Sequence, residues 1–374
     1  MKKQNKKKIL IVGPINKKNL EINGGTLTSL KLLKNSEISN KYKLNFLDTC
    51  QKSVPAPNLL FRLHDYIFRF FKYLLICFFN KPDFILFFFG THISFTEKAM
   101  MNLVGKLFGI KTIMFPRANI FIKWCKNNIF NLFFVKKIMV KVDKVVCQGE
   151  EMRSFFVEDV ELHSNRVCIV KNWTLTPDIQ KLGMKKLNQL SIHNKKFLFI
   201  GWLIKEKGIF ELIDAFIEFK RKYRSAELFI AGNGKEYNSL KKIIQNNKYL
   251  YDSCKLLGWV GNEKKIWLLE QCDTFILPSY SEGFPNVLVE ALGAGLSVIS
   301  TEVGAIKSQL NSKEEFIPIR VMDAKNLCSV MQDLVENPIL HKKMISSGFK
   351  KASNSFSLVN ATNELIKILE NINA

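Results

Sequence analysis

The chain has 374 residues, 47% of them hydrophobic, and 56 Lys and Arg against 33 Asp and Glu give a formal net charge of +23. That length suits two domains of roughly 100–200 residues each, and the apolar content excludes a disordered chain. Eight cysteines without a Cys-x-x-Cys pair and five unclustered histidines exclude a zinc module and fit reduced thiols in a cytoplasmic setting.

In chain order, Met1 to Lys8 is basic, but Ile9-Leu10-Ile11-Val12-Gly13 is too short for a secretory core and reads as part of a first strand, Lys8 to Ile15. Asn23-Gly24-Gly25-Thr26 follows, with a helix expected from about Thr26. Paired glycines let the backbone approach a ligand; a plain turn is the other reading. Over 59–79, Leu60, Leu63, Ile67, Phe70, Phe71, Leu74 and Phe78 recur at helical steps, with Arg62, Asp65, Arg69 and Lys72 on the other side. This is an amphipathic helix, too interrupted by charge to span a bilayer. It either packs on a sheet or lies in a membrane interface. Phe121 to Lys144 is a second aromatic and basic tract, with Trp124, Phe130, Phe133 and Phe134 among Lys123, Lys126, Lys136, Lys137 and Lys141. Asp83 to His92, Lys111 to Asn119 and Lys144 to Gly149 each run from an apolar strand into a loop, the succession of a doubly wound parallel sheet. Thr174 to Lys196 is polar and weakly patterned, a domain boundary, and Phe197-Leu198-Phe199-Ile200-Gly201 opens a second domain.

The most informative stretch is Tyr280-Ser281-Glu282-Gly283-Phe284-Pro285-Asn286-Val287-Leu288-Val289-Glu290-Ala291-Leu292. It follows the buried strand Asp273-Thr274-Phe275-Ile276-Leu277-Pro278 and places Glu290 two turns into the next helix. Ligands of parallel α/β sheets sit at the carboxyl ends of strands, and helix N-termini attract anions, so a nucleotide diphosphate is the candidate ligand. A diphosphate carries negative charge, which the site must meet with positive potential. Lys207, the N–H groups of residues 284 to 286, and the Gly24-Gly25 loop are the sources on offer. Glu290 lies among Val287, Leu288, Val289, Ala291 and Leu292, where a carboxylate is costly without a partner. A solvated helix face for Glu290 and a helix cap for Glu282 are the competing structural readings.

This stretch resembles the retaining glycosyltransferases of family 4, whose signature is two glutamates separated by seven residues. Three further blocks match in family order: Phe199 to Gly208, Leu228-Phe229-Ile230-Ala231-Gly232-Asn233-Gly234, and Gly293 to Thr301. The resemblance implies an α/β, GT-B fold of two Rossmann-like, doubly wound domains facing a central cleft. Residues 1–190 would be the acceptor-side domain, with Val170-Lys171-Asn172 as its last strand. Residues 191–355 would be the nucleotide-sugar donor domain, and 356–374 a helix crossing back to the first. The glycine pair would face the cleft. Glu290 would accept from ribose hydroxyls and Glu282 would lie nearer the sugar. Gly25, Gly201, Lys205, Lys207, Val260, Gly283, Phe284, Pro285 and Asn286 would complete donor binding. Arg117, in Phe115-Pro116-Arg117-Ala118-Asn119, would neutralise phosphate charge or fix the acceptor, with His92 as competitor. The family arginine after the first glycine is replaced by Trp202, so Lys205 substitutes for it or Lys207 and backbone amides act alone.

Without an Asp-x-Asp the donor is expected to bind without metal and no cofactor is implied. By resemblance, transfer proceeds with retention and the leaving phosphate acts as base. The expected donor is a UDP- or GDP-hexose and the acceptor a saccharide, lipid-linked, in bacterial surface polysaccharide (O-antigen or capsule) assembly. The basic aromatic first half points to an anionic membrane surface at the inner face of the cell membrane, and no nucleic-acid motif accompanies the charge. A soluble transferase acting on a small sugar and a non-catalytic membrane-associated scaffold are the alternatives.

Overall fold

A computed structural model of the chain describes residues 6–15, 25–50, 58–188 and 195–372. They form two compact units, Met1–Trp173 with Leu358–Ala374, and Thr174–Ser357. The division falls at Trp173 and Thr174 rather than at residue 190. The stretch read as weakly patterned forms the helix Pro177–Asn188, whose Ile179 and Leu182 are buried in the core of the second unit.

The first unit holds strands β1 (Lys8–Gly13), β2 (Lys43–Asp48), β3 (Phe84–Phe89), β4 (Lys111–Pro116), β5 (Lys144–Cys147) and β6 (Val167–Ile169), in the order β2-β1-β3-β4-β5-β6. All pairs are parallel. Every residue of β3 is buried, as a central strand covered on both faces requires. Alternate side chains feed two cores. Leu10, Phe87, Phe89 and Phe121 share one, while Ile9, Ile11, Phe88 and Trp173 meet Leu365 and Leu369 of helix Leu358–Asn371 in the other. Strand β2 was not expected. It is an edge strand whose Lys43, Asn45 and Asp48 interrupt the apolar pattern.

The helix Leu59–Phe79 packs through Tyr73 and Cys77, both buried, with Tyr73 Oη donating to the Met101 carbonyl at 2.7 Å and Arg69 Nε to Glu97 at 2.8 Å. Most of its apolar stripe faces outward: Leu60, Leu63, Ile67, Phe71 and Phe78, with Phe68 and Leu75 beside them, are each about half exposed or more. Phe70 and Leu74 of the expected stripe are only partly exposed, and Phe70 packs against the core. Arg69, placed by sequence on the side opposite the stripe, points inward, where the buried Glu97 is its partner. The second aromatic tract is two helices, Ile120–Lys126 and Ile129–Met139. Phe121 enters the core, whereas Ile129, Phe130 and Phe133 are exposed. Among the described residues, no helix is long and apolar enough to cross a membrane.

The second unit holds β7 (Lys196–Ile200), β8 (Glu227–Ala231), β9 (Cys254–Leu256), β10 (Thr274–Leu277), β11 (Ser297–Thr301) and β12 (Ile317–Ile319), in the order β12-β11-β10-β7-β8-β9. The chain moves outward from β7 to β9, then returns to the other side of β7. A switch point therefore lies between β7 and β10, where loops at the carboxyl ends diverge and leave a crevice.

Candidate functional site

The loop after β10 carries Glu282 and is fixed on several sides. Thr301 Oγ1 donates to the Ser279 carbonyl at 2.6 Å, and the Tyr280 N–H to the Glu206 carbonyl at 2.9 Å. The Ala305 N–H donates to the Gly283 carbonyl at 2.8 Å, and Tyr280 Oη to Glu211 Oε1 at 2.5 Å. Glu282 Oε1 accepts from Ser279 Oγ at 2.7 Å and from Lys207 Nζ at 2.5 Å. Lys207 comes from the short turn Lys205–Lys207 after β7, so the ion pair spans the switch point.

Two glycines allow this approach. Gly208 has φ +67°, and a Cβ there would sit 2.0 Å from the Pro278 carbonyl oxygen. Gly304 has φ +61°, and its Cβ would lie 2.2 Å from the Glu282 carbonyl oxygen and 2.5 Å from that of Gly283. Both need the left-handed conformation and the missing side chain.

Helix Asn286–Gly293 begins after Pro285, its N-cap residue, which makes no side-chain cap bond. Glu282 is therefore not the cap, and Glu290 lies one turn into the helix rather than two. The amide site expected at 284–286 is smaller than the sequence reading, because Pro285 has no N–H. Phe284 is buried, its ring 5.0 Å from that of Phe356. Glu290 is 4% exposed. Its Oε1 accepts from Nζ of Lys265 on helix Asn262–Gln271 at 2.8 Å. Among the described residues Oε2 of Glu290 has no hydrogen-bond partner, nor has Oε2 of Glu282. Both carboxylates thus keep one oxygen in an ion pair and the other unengaged. A nearly dry ion pair contributes little net stability, but removing one partner strands the other charge.

The remaining expected donor residues line neighbouring strand ends. Gly201 closes β7 and donates its N–H to the Ala231 carbonyl at 3.0 Å. Lys205 is exposed, and Trp202 is 36% exposed beside it. Val260 lies in the loop after β9, half-buried against the core.

In the first unit Gly25 is the first residue of helix Gly25–Lys34, while Asn23 and Gly24 lie outside the described residues. Arg117 stands at the carboxyl end of β4. Its Nη2 donates to Ser29 Oγ and Asn172 Oδ1, both at 3.3 Å, and the guanidinium lies 4.9 Å from the Trp173 ring centroid. These partners are all neutral. Burial pushes the Arg117 pKa down to about 10, so it remains a cation at neutral pH. Asn172 follows β6 rather than lying in it, and Gln148 Nε2 donates to its Oδ1 at 2.7 Å. His92 opens helix His92–Leu107 and stacks on Trp124 at 5.4 Å.

Sequence reasoning missed Ser279, Lys265, Gly304, Ser29 and Trp173. Ser279 sits within the glutamate loop and was within reach of a closer reading. Lys265 and Gly304 are ordinary residues in their own segments, and no pattern in the chain announces their partners.

Residues 185–351 match the family described as glycosyl transferases group 1. An N-acetylgalactosamine-N,N'-diacetylbacillosaminyl-diphospho-undecaprenol 4-alpha-N-acetylgalactosaminyltransferase of Campylobacter jejuni is 24% identical over 357 residues, 90% of each chain. An uncharacterized glycosyltransferase of Methanocaldococcus jannaschii is 28% identical over 237 residues, 59% of this chain and 56% of that protein. The chain thus spans little more than half of that second relative. The crystal structure of Anabaena HepE in complex with UDP and glucose superposes with a TM-score of 0.70 at 16% identity, covering 97% of this chain and 99% of that one. The two-unit, doubly wound α/β architecture is therefore that of GT-B proteins.

Proposed function

We propose that this chain, whose second unit carries a group 1 glycosyltransferase domain, moves a hexose from a UDP- or GDP-sugar to a saccharide acceptor with retention of configuration. The observation that carries the reading is the pair Glu282 and Glu290, each with one oxygen on a lysine and one unengaged, in the loop and helix after β10. The Lys207 ammonium has three donors, of which one goes to Glu282. The others are available to diphosphate oxygens as negative charge develops on them. Glu290 Oε2 accepts from a ribose hydroxyl, and Glu282 Oε2 from a hydroxyl of the transferred sugar. The acceptor oxygen bonds to the anomeric carbon on the face that the diphosphate oxygen leaves, and that oxygen takes the acceptor proton. Lysine and amide donors meet the charge, so the reading requires no divalent cation. Arg117, a cation with neutral partners, is assigned to phosphate charge or to the acceptor.

The acceptor is read as lipid-linked, in bacterial surface polysaccharide assembly. The outward apolar stripe of helix Leu59–Phe79 and the exposed Ile129, Phe130 and Phe133 support it, as does the net charge of +23. Contiguous exposed apolar surface with basic surroundings suits an anionic membrane face. The Campylobacter relative is named for a diphospho-undecaprenol acceptor. This surface disfavours a soluble transferase acting on a small sugar. Trp202, in place of a phosphate-binding arginine, favours a second reading, a non-catalytic scaffold that binds nucleotide without turnover.

Thermal shifts with UDP, GDP, ADP and CMP test the donor site. At a ligand concentration 100 times Kd the native state gains about 2.7 kcal/mol. One diphosphate is expected to raise Tm, and Glu290→Ala to abolish both the shift and transfer from the matching sugar donors. Full transfer by that variant removes the assignment, and binding without turnover across the donor panel selects the scaffold.

A further inference from the structure

The donor reading above gives Glu290 the ribose but gives Lys265, which holds its Oε1, no contact with the ligand. Lys265 reaches in from helix Asn262–Gln271, a different element from the one bearing Glu290. Their side chains are 17% and 5% exposed, so the pair is nearly dry yet borders solvent. A carboxylate alone offers acceptors only. With Oε1 engaged by the ammonium at 2.8 Å and Oε2 unengaged, the pair presents one acceptor beside one cationic donor. Two neighbouring hydroxyls complement that arrangement, one donating to Oε2 while its neighbour accepts from Nζ.

We propose that Lys265 is a specificity-determining residue of the donor site, binding one hydroxyl of the nucleotide ribose while Glu290 binds the other. The proposal rests on the donor-site reading of Glu290 and adds a second partner to it. Lys265 then selects ribonucleotides through a hydroxyl that Glu290 does not hold.

The test is isothermal titration of the full chain with UDP and GDP, and with the 2′-deoxy and 3′-deoxy forms of whichever binds. Wild type is expected to lose about tenfold or more in affinity for each deoxy form, the usual loss of a hydrogen bond to a charged group. Lys265→Met is expected to stop distinguishing one of the two deoxy forms from the parent while still rejecting the other. Lys265→Arg, which keeps a cationic donor, is expected to reject both. A purely structural lysine would weaken all three ligands equally, so unchanged discrimination in Lys265→Met overturns the proposal, as does loss of discrimination at both positions. If Lys265→Met fails to melt cooperatively, Lys265→Gln replaces it and must show reduced discrimination at one hydroxyl only; any other pattern overturns the proposal. The donor-site reading fails separately, if wild type binds neither diphosphate or if Glu290→Ala binds as well as wild type.

Discussion

Gly304→Ala tests whether the position of the Glu282 loop governs chemistry. The backbone at Gly304 has φ +61°, where alanine costs roughly 1–2 kcal/mol. The added methyl would lie 2.2 Å from the Glu282 carbonyl oxygen and 2.5 Å from that of Gly283, and neither is the end of a flexible side chain. The loop cannot yield freely, because Thr301 holds Ser279, Glu206 holds Tyr280, and Ala305 holds Gly283. Relief therefore needs the Glu282–Gly283 backbone to move by about 1 Å, a displacement that costs on the order of 100-fold in rate when it misplaces a reacting group. Overpacking adds about 1–3 kcal/mol of destabilisation, for a fall in Tm of roughly 5–10 °C. The assay is nucleoside diphosphate release from UDP- and GDP-hexoses with an undecaprenyl-diphosphate-linked saccharide, beside the thermal shift with free diphosphate. The expected result is a kcat about 100-fold lower with the shift retained, since Glu290 lies in the following helix. Gly261→Ala is the control, its methyl meeting only the Trp259 ring at 3.8 Å. A Tm loss with kcat within twofold of wild type would refute the reasoning, since Glu282 would then have moved without consequence.

Replacing Phe68 and Phe71 together by Ser removes two exposed rings of the outward stripe. At about 1.5–3 kcal/mol per buried ring, binding to vesicles containing anionic lipid should weaken about 100-fold or more while Tm is unchanged, as sedimentation with the vesicles would show. In the second unit, burial pushes the Lys186 pKa down to about 8 from an ordinary 10.5. The native state therefore binds fewer protons between those values, and stability rises as pH increases through that window. Lys186→Met should flatten the rise in denaturation midpoints measured from pH 8 to 10. Nearby Asp273 is raised to about 6 by burial, so it acts in the opposite sense, lowering stability as pH rises from about 4 to 6. That lower window should persist in the variant.

The chain by itself determined the strands of both sheets that are continuous apolar runs, such as β3 and β10, because burial on both faces writes itself into consecutive residues. It also determined the strand–loop–helix setting of Glu282 and Glu290, since glycine, proline and a buried carboxylate are local signals. Edge strand β2 escaped because an exposed edge tolerates polar residues. The direction of helix Leu59–Phe79 was undecided: periodicity fixes two faces but not which one meets the sheet, and Glu97 and the packing of Tyr73 and Cys77 chose it. Tertiary structure alone placed Lys265 on Glu290, Lys207 on Glu282 and Gly304 beneath the glutamate loop. Those contacts join residues from separate elements, and a charge pair or a missing Cβ acts through distance in space, which local sequence pattern does not encode.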